Sequence, residues 1–176
     1  MPPRKRIIRR HAGWLAIPAS LLLAIAALPS LLADATEPPA VESSVVEDVF
    51  STKAEYVVLT FFDLYCLACQ QSADNFNLLH QRLGDVFPSK GIEVTGIGIG
   101  DTAFELDVFQ RKYKLLFRSL PDPEKTFEQP FSIRGTPTVL VFKLTGTGHK
   151  EIYRHEGRFR QSDIDELIKG MHQHKS

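Results

Sequence analysis

The chain has 176 residues, 43% hydrophobic and 24% charged, enough apolar material for one globular core and too much for a wholly disordered polypeptide. Lysine plus arginine (21) equal aspartate plus glutamate (21), giving a formal net charge of +0. The basic residues crowd the N-terminus and the remainder is mildly acidic, so nothing suggests a nucleic-acid surface.

Arg4, Lys5, Arg6, Arg9 and Arg10 precede an uncharged stretch from Trp14 to Ala33 that contains Leu21-Leu22-Leu23-Ala24-Ile25-Ala26-Ala27-Leu28. Ala33-Asp34-Ala35 follows, a small-x-small cleavage pattern. A basic region, an apolar region and such a site form an export signal. The apolar stretch also approaches the length of a membrane span, so residues 1–35 are read as a signal peptide or an N-terminal membrane anchor. No cysteine follows the apolar region, which excludes a bacterial lipoprotein anchor. Residues 36–44, with Thr36-Glu37-Pro38-Pro39-Ala40, have the composition of a linker, and the folded domain is placed at 45–176.

The apolar run Tyr56 to Phe62 predicts a buried strand. Directly after it come Cys66 and Cys69, the two cysteines of the chain, and then a helical pattern from Leu67 to Leu83 with Phe76, Leu79 and Leu83 in phase. A sulfur at a helix start meets free backbone N–H groups and the positive end of the helix dipole, which stabilise it as a thiolate. Cys66 is therefore the expected nucleophile, and Cys69, one turn further in, the thiol that resolves a mixed disulfide. Structural zinc would need four ligands, and there is no second cysteine pair.

Ile92 to Ile99 predicts a second interior strand, and Phe104 to Leu116 a second helix, with Phe104, Phe109, Tyr113 and Phe117 expected to pack on the sheet or rim a groove near the cysteines. After Leu120-Pro121-Asp122-Pro123 a short helical stretch is expected to run to about Gln129, stopped by Pro130. Gly135-Thr136-Pro137 then turns into the strand Thr138 to Lys143, and Thr145-Gly146-Thr147-Gly148 reverses it into an antiparallel partner around Lys150 to Arg154. Ser162 with Asp165 is expected to cap a last amphipathic helix carrying Ile164, Leu167, Ile168 and Met171. Alternating strands and helices give an α/β fold. His80, His149, His155, His172 and His174 are scattered and suggest no ligand set.

Phe61-Phe62-Asp63-Leu64-Tyr65-Cys66-Leu67-Ala68-Cys69 resembles the active-site strand and turn of thioredoxin-fold proteins, with Tyr65 where most members carry Trp. Ile133-Arg134-Gly135-Thr136-Pro137-Thr138 is similar to the cis-proline segment of that family, and Gly157 falls where it has a glycine after its last strand. The long interval between the motifs, together with the export signal, resembles the TlpA/ResA branch of thiol–disulfide oxidoreductases. The resemblance implies a thioredoxin-like α/β fold: a central mixed sheet flanked by helices, with an extra strand–helix insertion between the Cys-x-x-Cys helix and the cis-proline strand. It implies a cis Thr136–Pro137 bond, a Cys66–Cys69 redox disulfide with no further cofactor or metal, and client contacts from Tyr65, Leu67, Ala68, Thr136 and Pro137. Where thioredoxin has a buried proton-transferring aspartate, this chain has Thr60, which cannot titrate; Asp63 is expected to cap the turn rather than replace it. Leu67-Ala68 resembles the Val-Ala pair of the C-terminal DsbD domain, which favours a reductant.

The expectation is an exported, monomeric disulfide reductase acting on exported protein thiols and disulfides, apocytochrome c among them. It would sit in the periplasm or be tethered to the membrane, fed by a membrane electron donor, with no nucleic-acid partner. A metal- or haem-handling chaperone using the two thiols as ligands is the alternative; Sco-type copper binding is not, because it needs cysteines separated by three residues.

Overall fold

A computed structural model describes residues 46–174, so the export segment and linker lie outside the described residues. The strands are β1 (Tyr56–Phe62), β2 (Ile92–Ile99), β3 (Arg118–Asp122), β4 (Thr138–Thr145) and β5 (Gly148–Glu156). The helices are α1 (Leu67–Val86), α2 (Ala103–Tyr113) and α3 (Gln161–Gln173). The sheet has the order β3-β2-β1-β4-β5. β1 is central and all seven of its residues are buried, as a continuous run of β-branched and aromatic side chains requires.

β1 pairs in parallel with β2, from Tyr56 opposite Ile92 to Phe62 opposite Gly98, and antiparallel with β4, from Tyr56 opposite Lys143 to Phe61 opposite Thr138. Alternation along β1 divides the core. Tyr56, Val58 and Phe62 face the helices, meeting Phe76 and Leu79 of α1, Phe109 of α2, and Ile164 and Leu167 of α3. Phe62 stacks on Phe109 with ring centroids 4.5 Å apart. Val57, Leu59 and Phe61 face the other way, onto Val49, Phe127, Phe131 and Ile133.

The extra material between the two motifs is α2 and β3, and β3 joins the sheet in parallel beside β2. The sequence reading assigned no element to Arg118–Asp122, which the structure forms into a strand. Pro121 is tolerated because β3 is an edge strand. The expected short helix before Pro130 is a series of turns instead, organised by the buried Asp122 carboxylate, which accepts hydrogen bonds from Thr126 N–H, Thr126 Oγ1 and Phe127 N–H. α1 runs three residues beyond Leu83, to where Phe87 N–H bonds back to Leu83 O. α3 is capped two residues earlier than Ser162 and Asp165 would place it: Arg160 is the N-cap, and its N–H donates to Asp163 Oδ2 at 2.6 Å.

The second helix ends at Tyr113 rather than Leu116, because Lys114 turns into the left-handed region at φ 50° and closes the helix. Asn77 on α1 holds that end, donating to the carbonyls of Tyr113 (3.1 Å) and Lys114 (3.2 Å) and accepting Leu116 N–H (3.0 Å). Asn77→Ala leaves these groups unpaired and is expected to cost about 1–3 kcal/mol. A lowered urea midpoint at unchanged m-value would show this; an unchanged midpoint would show that water replaces the amide.

Candidate active site

β1 and β2 end side by side, and the chain leaves β1 through Asp63-Leu64-Tyr65 to start α1 at Cys66. Cys66 is the N-cap residue, with φ −75° and ψ 110°, and its sulfur accepts the Cys69 N–H at 3.2 Å. A helix N-cap position satisfies an orphan backbone donor with the side chain, and here the acceptor is the reactive sulfur itself. Both cysteines are free thiols; Cys66 is half-buried and Cys69 fully buried. Burial pushes the Cys69 thiol far above its ordinary range, and hydrogen bonding to Cys66 adds to this, opposed by the Thr136 side chain and the Asp63 main chain. The reactive and the shielded thiol are thus distinct.

From across the sheet, the turn before β4 brings Thr136 to the same sulfur: Cys66 Sγ donates to Thr136 O at 3.3 Å. The Thr136–Pro137 bond is cis, as expected. The turn is anchored on both sides, by Thr138 Oγ1 donating to Gly135 O at 2.8 Å and by Gly157 N–H donating to Pro137 O at 2.8 Å. Gly157 has φ 92°, a conformation that favours glycine. Tyr65 and Leu67, on either side of Cys66, are 74% and 66% exposed, an unusual position for large apolar side chains. Ala68 and Thr136 are half-buried and Pro137 is buried.

Thr60 lies in β1 with its hydroxyl buried and without a hydrogen-bond partner among the described residues, so it supplies no proton acceptor. Asp63 Oδ1 accepts the Tyr65 N–H at 2.6 Å, the turn-capping role expected of it. Of the four aromatics expected to pack on the sheet or rim a groove, Phe109 and Phe117 are buried, whereas Phe104 does not pack and is 74% exposed. It falls in the first turn of α2, whose buried residues are Leu106 and Phe109. The histidines stay apart, His80 near Phe117, His149 stacked on Phe50, and His172 near Phe87. Among the described residues, no group of three or more His, Cys, Asp or Glu side chains is placed to hold a metal ion.

Sequence reasoning missed three residues that hold the Cys66 turn. Asp101 accepts the Leu64 N–H through both carboxylate oxygens, at 3.1 and 3.2 Å. Gln70 Nε2 donates to Leu64 O at 2.8 Å, and Tyr65 Oη donates to Glu105 Oε1 at 2.8 Å. Hydrogen bonds from Thr102 hold Glu105 below the usual carboxylate range, and the Glu105 contact raises the Tyr65 phenol. A signal for Asp101 was present, since an acidic residue two positions after a parallel strand lies at the carboxyl edge where sites in α/β sheets gather.

No protein-family model matches the sequence, and no curated protein matches it. Solved structures do. StoA from Bacillus subtilis is 16% identical over 69% of this chain and 86% of its own, with a TM-score of 0.54. A secreted disulfide oxidoreductase of Mycobacterium tuberculosis, homologous to DsbE of E. coli, is 18% identical over 68% and 81%, with a TM-score of 0.52. The thioredoxin domain of a thiol-disulfide oxidoreductase from Bacteroides vulgatus is 15% identical over 68% and 80%, at 0.51. Likeness at such identities speaks to architecture, and in architecture the agreement extends over most of each chain: this protein has the thioredoxin fold.

Proposed function

We propose that the protein is a thiol–disulfide oxidoreductase that reduces disulfides in exported proteins. The observation that carries this reading is the pairing of a half-buried Cys66 at the start of α1, 3.3 Å from Thr136 O, with a buried Cys69 whose N–H already meets the Cys66 sulfur. The Cys66 thiolate attacks one sulfur of a client disulfide; that bond breaks, a Cys66–client disulfide forms, and the other client sulfur leaves and takes up a proton. Cys69 then loses its proton and attacks the Cys66 sulfur, forming the Cys66–Cys69 disulfide and releasing the second client thiol. Two electrons pass to the client, and an upstream thiol donor restores the dithiol. The Thr136 main chain offers an edge for an extended client segment, with Tyr65, Leu67, Ala68 and Pro137 around the sulfur.

Export is supported by the basic and apolar character of residues 1–35 and by the secreted similar protein from M. tuberculosis. Among the described residues no helix is long and apolar enough to cross a membrane. The Leu67-Ala68 pair favours the reducing direction, and apocytochrome c is the client class we propose.

Equilibration with glutathione tests the direction. The expected midpoint is near the thioredoxin value of about −270 mV, whereas about −120 mV would make the protein an oxidant and overturn the proposal. N-terminal sequencing of membrane and extracytoplasmic fractions tests export, with a chain starting at Thr36 marking cleavage and an intact membrane-bound chain marking an anchor. Recovery from the cytoplasm alone would refute both.

A further inference from the structure

Thiol exchange gives no part to two arginines that flank the cis-proline turn. Arg134 and Arg158 are exposed, and neither guanidinium makes a hydrogen bond or an ion pair with any described residue. Their backbone, by contrast, is fixed on both sides. Arg134 lies between Ile133, whose N–H donates to Glu128 O at 2.8 Å, and Gly135, whose carbonyl accepts Thr138 Oγ1 at 2.8 Å. Arg158 follows Gly157, whose N–H donates to Pro137 O at 2.8 Å. It precedes Phe159, whose N–H donates to Ser72 Oγ at 2.9 Å and whose carbonyl accepts Asn75 Nδ2 at 3.1 Å. Two uncommitted charges are thus mounted on pinned backbone beside the turn whose Thr136 carbonyl meets the Cys66 sulfur.

The carboxylates around the site are all engaged. On the β1 and α2 side, Asp63 holds the Tyr65 N–H, Asp101 holds the Leu64 N–H, and Glu105 holds Thr102 and the Tyr65 hydroxyl. Next to Gly157, Glu156 is paired with Arg154 at 3.5 Å, and Arg154 is further committed to Glu151 and to Phe131 O. Charge is therefore divided across Cys66, acidic toward α2 and cationic along the cis-proline turn. An exposed arginine without a partner adds little to stability, so the worth of these two lies in what they meet when the site is covered.

We propose that Arg134 and Arg158 form a cationic rim that selects client disulfides flanked by acidic residues. The proposal rests on reading Cys66 as the residue that attacks client disulfides. A client joined to Cys66 lies against Thr136, and a docked polypeptide covers on the order of 800 Å² of its partner, so residues one or two places from the turn fall beneath it. A guanidinium meets a carboxylate there in a two-pronged, charge-assisted pair. A basic client meets two like charges instead. The acidic groups on the α2 side repel a client carboxylate placed against them, so charge sets how the segment lies as well as which segments are taken. Tyr65 and Leu67, exposed beside the sulfur, offer apolar contact to either kind of client and do not discriminate.

The test compares disulfide peptides that are alike except that the residues flanking the reacting cysteine are glutamate, glutamine or lysine. The readout is the second-order rate constant for their reduction by the prereduced full chain. Wild type is expected to favour the glutamate peptide over the lysine peptide by about tenfold at low salt, and the preference should shrink above about 0.15 M ionic strength, where charges are screened within about 8 Å. Replacing both residues, Arg134→Gln with Arg158→Gln, should bring the ratio to about one, and Arg134→Glu with Arg158→Glu should invert it. Lys169→Gln, which removes an exposed cation on α3, should leave the ratio intact. Equal rates for the peptides in wild type would overturn the proposal. So would a double glutamine variant that slows every peptide by the same factor, since the arginines would then act on the sulfur and not on the client. Binding of the same peptides with serine in place of cysteine, followed through the amide NMR shifts of Gly135, Thr136 and Gly157, needs no exchange chemistry. A glutamate preference in binding with no reduction of any peptide would uphold the rim and refute the redox reading; reduction without a preference would overturn the rim alone.

Discussion

Cys69→Ser is expected to accumulate mixed disulfides through Cys66 that do not resolve, and Cys66→Ser to lose disulfide-reductase turnover on the order of a thousandfold or more. Cys66 caps α1 with its sulfur half-buried and facing the Thr136 carbonyl, so it can meet a client. Cys69 is fully buried, and burial holds its proton tightly, so it attacks only when the bond it must break is delivered to it as Cys66–client. The same asymmetry predicts that iodoacetamide labels Cys66 at least about a hundredfold faster than Cys69 in the reduced protein. Mass mapping of the labelled peptides reads this directly, and equal rates would remove the assignment of roles. For the trap, extracytoplasmic extracts are passed over Cys69→Ser and eluted with reductant. Clients that elute from that variant and not from the double serine variant are expected. Failure to capture any protein would count against a client reductase even if small-molecule disulfides are still reduced.

Much of this arrangement was legible in the sequence, because the signals were local and strong. β1 and β2 stand where their apolar runs place them, and the two cysteines fall at the helix start because a strand, a short turn and an amphipathic run leave no other place for them. The cis-proline turn could be read because its residues form a contiguous pattern, Gly135-Thr136-Pro137-Thr138. What escaped was set by tertiary partners. β3 carries a proline and an aspartate that argue against a strand, yet the free edge of β2 recruits it. The end of α2 is fixed by Asn77, distant in sequence, and the turns after β3 by a single carboxylate on Asp122. Asp101 belongs to the same class: its partner is 37 residues away, and no spacing rule connects Leu64 to it. At Thr60 the sequence showed a residue that cannot titrate, and only the structure could show that the Asp101 carboxylate holds the Leu64 N–H in the turn.

Asp101 also leaves a mark on stability, with a sign that can be worked out. Its folded-state value is raised from 3.8 to about 6, chiefly by burial, so between those values the native state holds a proton that the unfolded chain has released. The native state is therefore penalised progressively as pH rises from about 4 to 6, and the penalty is complete above that and absent below. At 1.36 kcal/mol for each unit, the shift corresponds to about 3 kcal/mol at pH 7. Other carboxylates pull the opposite way: Glu55, bonded to Lys90, and Glu105, bonded to Thr102, are lowered and support the fold as pH rises. The raw pH profile of the wild type mixes these contributions, so the informative quantity is the difference between wild type and Asp101→Asn. Relative to wild type, the variant is expected to gain stability between pH 4 and 7, by about 3 kcal/mol over that interval, because asparagine carries no proton to lose. Urea unfolding at pH 4, 5, 6 and 7 measures it, since a difference of this size moves the midpoint by about 1 M or more at typical m-values. A difference that stays constant with pH would mean that Asp101 titrates as an ordinary surface carboxylate and that burying it at the Leu64 N–H carries no pH-dependent cost.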